Sequence, residues 1–164
     1  MTQTLQGIAP ISHLGVIRVQ GDDAASFLHG QLTHDFALLD MQHARLAAYC
    51  SPKGRVQASF IGFKRAADDI VLICSRDLLA QTLKRLSMFV LRAKAKLTDA
   101  SADFQLFGLI GSAVPDGEQA PWDVQQQASA HIVHLYPAAG QRRALWIAPV
   151  EVEAPQTINL TAQQ

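Results

Sequence analysis

The sequence predicts an α+β fold in which helices pack on a mainly antiparallel sheet. Three observations lead there: short stretches of alternating or continuous apolar residues, two stretches with helical apolar spacing, and tight-turn chemistry between neighbouring strands. The 164 residues are 49% apolar and 17% charged. That globular balance excludes collagen-like, disordered and disulfide-scaffold chains. A chain of this length buries roughly two-thirds of its unfolded surface, so its core needs no staples.

Residues 14–19 alternate loosely and read as a first strand. Gly21-Asp22-Asp23 breaks it and offers an N-cap, because an Asp carboxylate accepts amide hydrogens that a first helical turn leaves unpaired. Ala24, Phe27, Leu28 and Leu32 follow at helical spacing, and Thr33-His34-Asp35 closes the helix in a polar loop. Residues 44–50 read as a strand and residues 55–63 as its return in a hairpin. Between them Ser51-Pro52-Lys53-Gly54 is a tight turn, with Pro presetting the second dihedral and Gly closing it. After the turn Ala67-Asp68-Asp69, residues 70–74 are continuously apolar, the mark of a central strand buried on both faces.

Ser75 is placed to cap a second helix, in which Leu79, Leu83, Leu86 and Val90 form one apolar stripe. Residues 92–97 return to a period of two, and residues 104–110 make another apolar strand. The order strand, helix, strands, helix, strand is that of a ferredoxin-like α+β sandwich. From Gly111 the pattern weakens. Residues 114–121 form a Pro/Gly/acid loop, 131–136 and 144–148 read as strands, and 149–164 as a polar tail without a stop signal. The expected division is residues 1–111 as one α+β domain and 112–164 as the start of a second α+β subdomain, interrupted rather than finished.

Acidic and basic residues number fourteen each, but unevenly placed. Residues 1–100 carry twelve Lys/Arg against eight Asp/Glu, and residues 101–164 carry two against six, so the parts are +4 and −4. An anionic ligand is therefore expected on the first part. Cys50 and Cys74 match no metal spacing and read as buried thiols of a reducing compartment. No secretory signal opens the chain and no run reaches the roughly 18 apolar residues of a membrane helix. A soluble cytoplasmic protein is expected.

No phosphate loop or nucleophile elbow is present. His131 and His134, on one strand, point to opposite faces and make a poor metal pair. Asp22-Asp23 and Asp68-Asp69 fall where caps and turns belong, so they read as structural. Two features suit a ligand. Arg92, Lys94 and Lys96 share one face of their expected strand, no acid lies between Asp77 and Asp99, and Lys84 and Arg85 add charge on the preceding helix. This row suits either a charged sheet edge that resists pairing or an anion site. Few aromatics interleave with it, which disfavours nucleic acid. Tyr49-Cys50-Ser51-Pro52-Lys53-Gly54-Arg55 gathers a ring, two cations and a turn at one hairpin end, either as a plain turn or as a place for a planar heterocycle with an anionic tail.

These same residues carry a family resemblance. The run from Gly21 to Asp35, GDDAASFLHGQLTHD, resembles the G-x-D-A-x-x-F-L-Q-G-Q-x-T-x-D stretch of YgfZ-type proteins of the glycine-cleavage T-protein superfamily. Ala48-Tyr49-Cys50-Ser51-Pro52-Lys53-Gly54-Arg55-Val56 is similar to their A-x-x-C-x-x-K-G-[KR] hairpin, and VLRAKAKL from Val90 to their closing strand. The resemblance implies the N-terminal part of the T-protein/YgfZ fold and binding of tetrahydrofolate, or a one-carbon-substituted folate, in a cavity shared between domains. It implies involvement in maintaining iron–sulfur enzymes and in tRNA modification, with iron–sulfur proteins as partners. Tyr49, Lys53 and Arg55 are the expected folate contacts and Asp35 a hydrogen-bond partner. Arg92, Lys94 and Lys96 shape the field, the glutamate carboxylates of a folate being one candidate for that row.

The sequence also departs from the family. The T-protein is an aminomethyltransferase whose pattern carries an acidic pair on the strand after the hairpin; here that strand reads Gln57-Ala58-Ser59. The K-G-C-x-G-Q-E signature of YgfZ-type proteins is absent from these residues, and Leu14 stands where some members place a Trp. A folate-binding scaffold without independent catalysis is therefore expected, with aminomethyl transfer or a ligand-free interaction scaffold as the alternatives.

Overall fold

The computed structural model describes residues 7–155; the reading of residues 1–6 and of the tail beyond 155 lies outside the described residues. Two compact units are present. One runs from His13 to Ala102, and the other is formed by the described residues on either side of it.

The helix-bearing unit holds β2 (Leu14–Gln20), α1 (Ala24–Gln31), β3 (Arg45–Cys50), β4 (Val56–Ala66), β5 (Asp69–Ser75), α2 (Arg76–Ser87) and β6 (Lys96–Asp99). Its sheet order is β3-β4-β5-β2-β6, with every pairing antiparallel. Without β3, the order is that of a ferredoxin-like β-α-β-β-α-β sheet, and β3 is an added edge strand folded back on β4. The apolar run of β5 occupies the centre, with Ile70, Val71, Leu72, Ile73 and Cys74 all buried. Alternate residues Ile70, Leu72 and Cys74 join Ile17, Val19 and Phe60 under Phe27 and Leu28 of α1 and Leu79 and Leu86 of α2. Burial of such side chains contributes about 2 kcal/mol each before the entropy of ordering them.

Neither helix is capped as the sequence suggested. The Ser75 side chain makes no cap bond, and the first amide of α2, on Arg76, instead donates to the His13 carbonyl at 2.9 Å. Asp77 in the first turn and Lys84 and Arg85 in the last still suit the helix dipole. Asp23 makes no side-chain cap bond either. Its Oδ2 accepts from the Lys94 amide at 2.7 Å, while its own amide donates to the Lys94 carbonyl at 3.0 Å. At α1 a tertiary partner has taken the capping carboxylate, and at α2 one has taken the first amide of the helix.

That bond also corrects the expected cation strand. Only Lys96 belongs to β6; Arg92 and Lys94 lie in an irregular segment before it. The cause is β2, whose last pair is Gln20↔Lys96. At Gly21 the partner strand turns away into α1, so residues before Lys96 have no ladder to join. The alternation nonetheless persists: Arg92, Lys94 and Lys96 are exposed, while Ala93, Ala95 and Leu97 pack on the core. The Asp pairs are structural. Asp69 receives Arg18 bidentately at 3.0 and 2.8 Å and Arg65 at 3.2 Å.

The other unit is a five-stranded antiparallel sheet, β1 (Gly7–Pro10), β7 (Phe104–Ile110), β10 (Gln141–Pro149), β9 (Ala130–Ala138) and β8 (Val124–Gln127), in that order. Among the described residues it has a 3₁₀ turn, Gly111–Ala113, and no α-helix, where the sequence suggested an α+β subdomain. Contacts divide the chain near residue 102 rather than after 111, because the strand at 104–110 pairs with β1 and β10. The short strands β1 and β8 were not expected. Leu109, Ile132, Ala144 and Trp146 form its core, with the Phe107 ring edge-on to Trp146 at 5.7 Å. Ala139 and Gly140 both have positive φ (50° and 72°), as a two-residue hairpin turn of primed type requires. The charge asymmetry follows these units, since residues 1–12, 101 and 102 carry no charge. No helix among the described residues is long and apolar enough to cross a membrane.

The two thiols differ. Cys74 is buried, and burial, with Asp99 adding to it, pushes its pKa up to about 11; Cys50 is half-exposed at the hairpin, not buried. Thiol titration of the native chain at pH 8 is expected to modify Cys50 quickly and Cys74 only at the rate of unfolding. The folded state holds the Cys74 proton more tightly than the unfolded state, so its contribution to stability is full below about pH 9. It is lost as pH rises towards 11. Fast double labelling would contradict the burial.

Candidate functional site

The site is built on the β3–β4 hairpin. The Gly54 amide closes the turn on the Ser51 carbonyl at 2.8 Å, and Gly54 has the left-handed φ of 77° that this closure uses. The Ser51 amide then bonds the Arg55 carbonyl at 2.8 Å, and the Ser51 hydroxyl accepts from the Arg55 amide at 3.2 Å. Lys53 and Arg55 are exposed, and their side chains have no protein partner among the described residues. Tyr49 is half-buried, its ring packed in part against the core.

Two further elements reach this hairpin. The chain after α1 becomes extended at Leu32, which bridges Tyr49, while Thr33 exchanges bonds with Ala48 at 3.0 and 2.9 Å. This clamps the following loop to β3. In that loop Asp35 Oδ1 accepts from the amides of Ala37 and Leu38 at 2.9 and 3.1 Å and lies 3.0 Å from His29 Nδ1. The Asp35 amide donates to His34 Nδ1 at 3.0 Å, which leaves the His34 proton on Nε2. One oxygen of Asp35 is thus committed to its own turn, and the other has no protein partner among the described residues. From the far side, Arg85 of α2 donates to Gln57 Oε1 at 3.0 Å, two residues beyond Arg55.

The structure therefore brings the Asp35 loop to the Tyr49 strand and a third cation, Arg85, to the Arg55 strand. It does not bring Lys96 there. β3 and β6 are opposite edges of the sheet, four strand spacings or about 19 Å apart. Arg85 had shown in the sequence only as background charge; its role is tertiary. Gln57-Ala58-Ser59 offers no acid at the hairpin: Ala58 is in the core and Gln57 holds Arg85. Among the described residues no cluster of three or more His, Cys, Asp or Glu side chains could hold a metal. His131 and His134 are both buried on β9.

No family model matches the chain. Relatives do. It is 30% identical over 161 residues to an iron–sulfur cluster assembly factor IBA57 homolog of Mycosarcoma maydis, covering 91% of this chain and 38% of that protein. It is 31% identical over 97 residues to the tRNA-modifying protein YgfZ of Hamiltonella defensa, covering 59% and 28%. An aminomethyltransferase of Parafrankia sp. is 30% identical over 110 residues, covering 67% and 30%. Among solved structures, the aminomethyltransferase T of the Bartonella henselae glycine cleavage system superposes with a TM-score of 0.75 at 18% identity, over 89% of this chain and 43% of that one. The chain is a YgfZ-type member of the T-protein superfamily. Its two antiparallel sheets with helices are the T-protein fold. It spans about a third of the length of these relatives.

Proposed function

We propose that this T-protein-superfamily chain contributes a tetrahydrofolate-binding surface and performs no turnover of its own. The observation that carries this reading is the hairpin end, where one turn joins the half-buried Tyr49 at the end of β3 to the exposed cations Lys53 and Arg55, which have no protein partner among the described residues. A pteridine is planar and a folate tail is anionic, so the ring offers stacking and the Arg fork a bidentate carboxylate contact. Asp35, through its uncommitted oxygen, is the hydrogen-bond partner for a heterocycle N–H. Arg92, Lys94 and Lys96 act at longer range, as field rather than contact. The YgfZ and IBA57 relatives suggest a setting in iron–sulfur protein maintenance, with such proteins as partners. Aminomethyl transfer is disfavoured, since the strand after the hairpin has no carboxylate to orient a substrate amine.

Calorimetric titration with tetrahydrofolate tests this. The chain is expected to bind, and Tyr49→Ala combined with Arg55→Ala to weaken binding at least about tenfold. No heat from the parent chain at millimolar folate, or equal binding by the variant, would overturn it.

A further inference from the structure

A second site lies in the all-β unit, far in chemistry from the hairpin. There the loop 114–121 and the β9–β10 hairpin enclose an open-sided cavity of about 70 Å³, lined by Gln119, Pro121, His134, Arg142 and Arg143 among others. This unit is the acidic one, and Arg142 and Arg143 are the only Lys or Arg in it. Both line this one cavity.

Adjacent residues on a regular strand point to opposite faces. Here the ladder shifts between Gln141↔Ala138 and Arg143↔Leu135, so Tyr136 and Pro137 of β9 together oppose Arg142, and the extra residue of this β-bulge lies on β9. Bulges disturb the local twist and re-aim side chains, and this one lies directly opposite Arg142, where Arg142 and Arg143 both line the cavity. The loop wall is tied down: the Trp122 amide donates to the His134 carbonyl at 2.6 Å, and the His134 amide to the Asp123 carbonyl at 2.9 Å. Trp122 is held at a φ of 73°, an unfavourable conformation for a bulky residue. Its ring meets Tyr136 edge-on at 6.3 Å.

The cation groups are under-used. Arg143 donates through Nε to the Tyr136 carbonyl at 2.9 Å, and its two terminal nitrogens have no protein partner among the described residues. Arg142 reaches only long contacts, 3.4 Å to the Pro115 carbonyl and 3.3 Å to the fully exposed Asp116. Burial pushes the His134 pKa down, against Asp123 and with Arg142. His134 is therefore neutral at pH 7, and its Nε2 lies 3.3 Å from Gln125 Oε1. The acids on this side are Asp116, Glu118 and Asp123, of which Asp123 is turned to the Ala120 amide at 2.9 Å.

We propose that this cavity binds a small oxyanion, a carboxylate or phosphate group, clamped by Arg142 and Arg143 in place of Asp116. Its volume is well below the several hundred Å³ that whole organic ligands fill, so the ligand is a small acid or the anionic end of a larger molecule. The forked, delocalised guanidinium groups match either oxyanion.

The test is ¹H–¹⁵N NMR of the whole chain, titrated separately with inorganic phosphate and with acetate, against chloride at equal ionic strength. Saturable shifts of the Arg143 Nε–H and of the Trp122 and His134 amides, absent with chloride, are expected. Saturation by phosphate alone assigns a phosphoryl ligand, and by acetate alone a carboxylate. Arg143→Gln should weaken the affinity at least about tenfold. Asp116→Asn, a fully exposed change that cannot unfold the chain, should tighten it about threefold by removing the competing anion. Chloride-like shifts with both anions, or unchanged affinity in both variants, would overturn the proposal.

Discussion

Gly21→Ala is expected to lower the stability of the helix-bearing unit by about 3 kcal/mol, read from urea unfolding followed by circular dichroism. Two costs combine. Gly21 has a φ of 129°, where an L side chain is strained, and an added Cβ would overlap the Lys94 carbonyl. The colliding atom is backbone, and that backbone is held from both directions by Asp23. The Lys94 segment cannot yield without releasing the Asp23 bonds and the entry into α1. The Gly21 amide also bonds the Asp68 carbonyl at 2.9 Å, fixing the same corner to the β4–β5 turn. A loss below about 0.5 kcal/mol would mean that the corner relaxes freely and that the Lys94 segment is not held as described.

This corner also shows where the sequence was legible and where it was not. Gly21-Asp22-Asp23 announced the end of β2 and the start of α1, because a Gly and a short acid act locally. That Asp23 would spend its carboxylate on Lys94, 71 residues away, has no local signature. The failure of residues 92–95 to join β6 has the same origin: their alternation was visible, but the missing partner was a property of β2. The continuous apolar run of β5 and the leucine stripe of α2 gave their positions directly, since burial pattern and period coincide there. β1 and β8, four residues each, are too short for a period to show. β7 was visible as a strand but not its allegiance, because its pairing is decided by packing against β10 and against β1, which lies about a hundred residues away in the chain. At the candidate site, Tyr49, Lys53 and Arg55 were legible through the turn chemistry of Pro52 and Gly54. Arg85 was not, because only the fold brings α2 to Gln57.

Phe36→Ala is expected to lower stability by about 4 kcal/mol and to weaken the proposed folate binding as well. Phe36 is fully buried although it lies in the loop between α1 and β3. It fits because Gly62 of β4 has no side chain: a Cβ there would lie 2.6 Å from the Phe36 ring. Truncation leaves a ring-sized void over the sheet that rigid strands β4 and β5 cannot close. The neighbouring residue is Asp35, whose turn holds Ala37 and Leu38 and whose loop is clamped to β3 by Thr33. Phe36 is therefore the anchor that fixes the Asp35 carboxylate relative to Tyr49. A paired change tests this link. Gly62→Ala alone should cost about 2 kcal/mol by overpacking the ring, yet in the Phe36→Ala background the same methyl should partly fill the void and cost nothing or stabilise. A double-mutant cycle on urea unfolding would read that change of sign. Additive losses would show that the two side chains do not share the space, and would remove the argument that Phe36 positions Asp35.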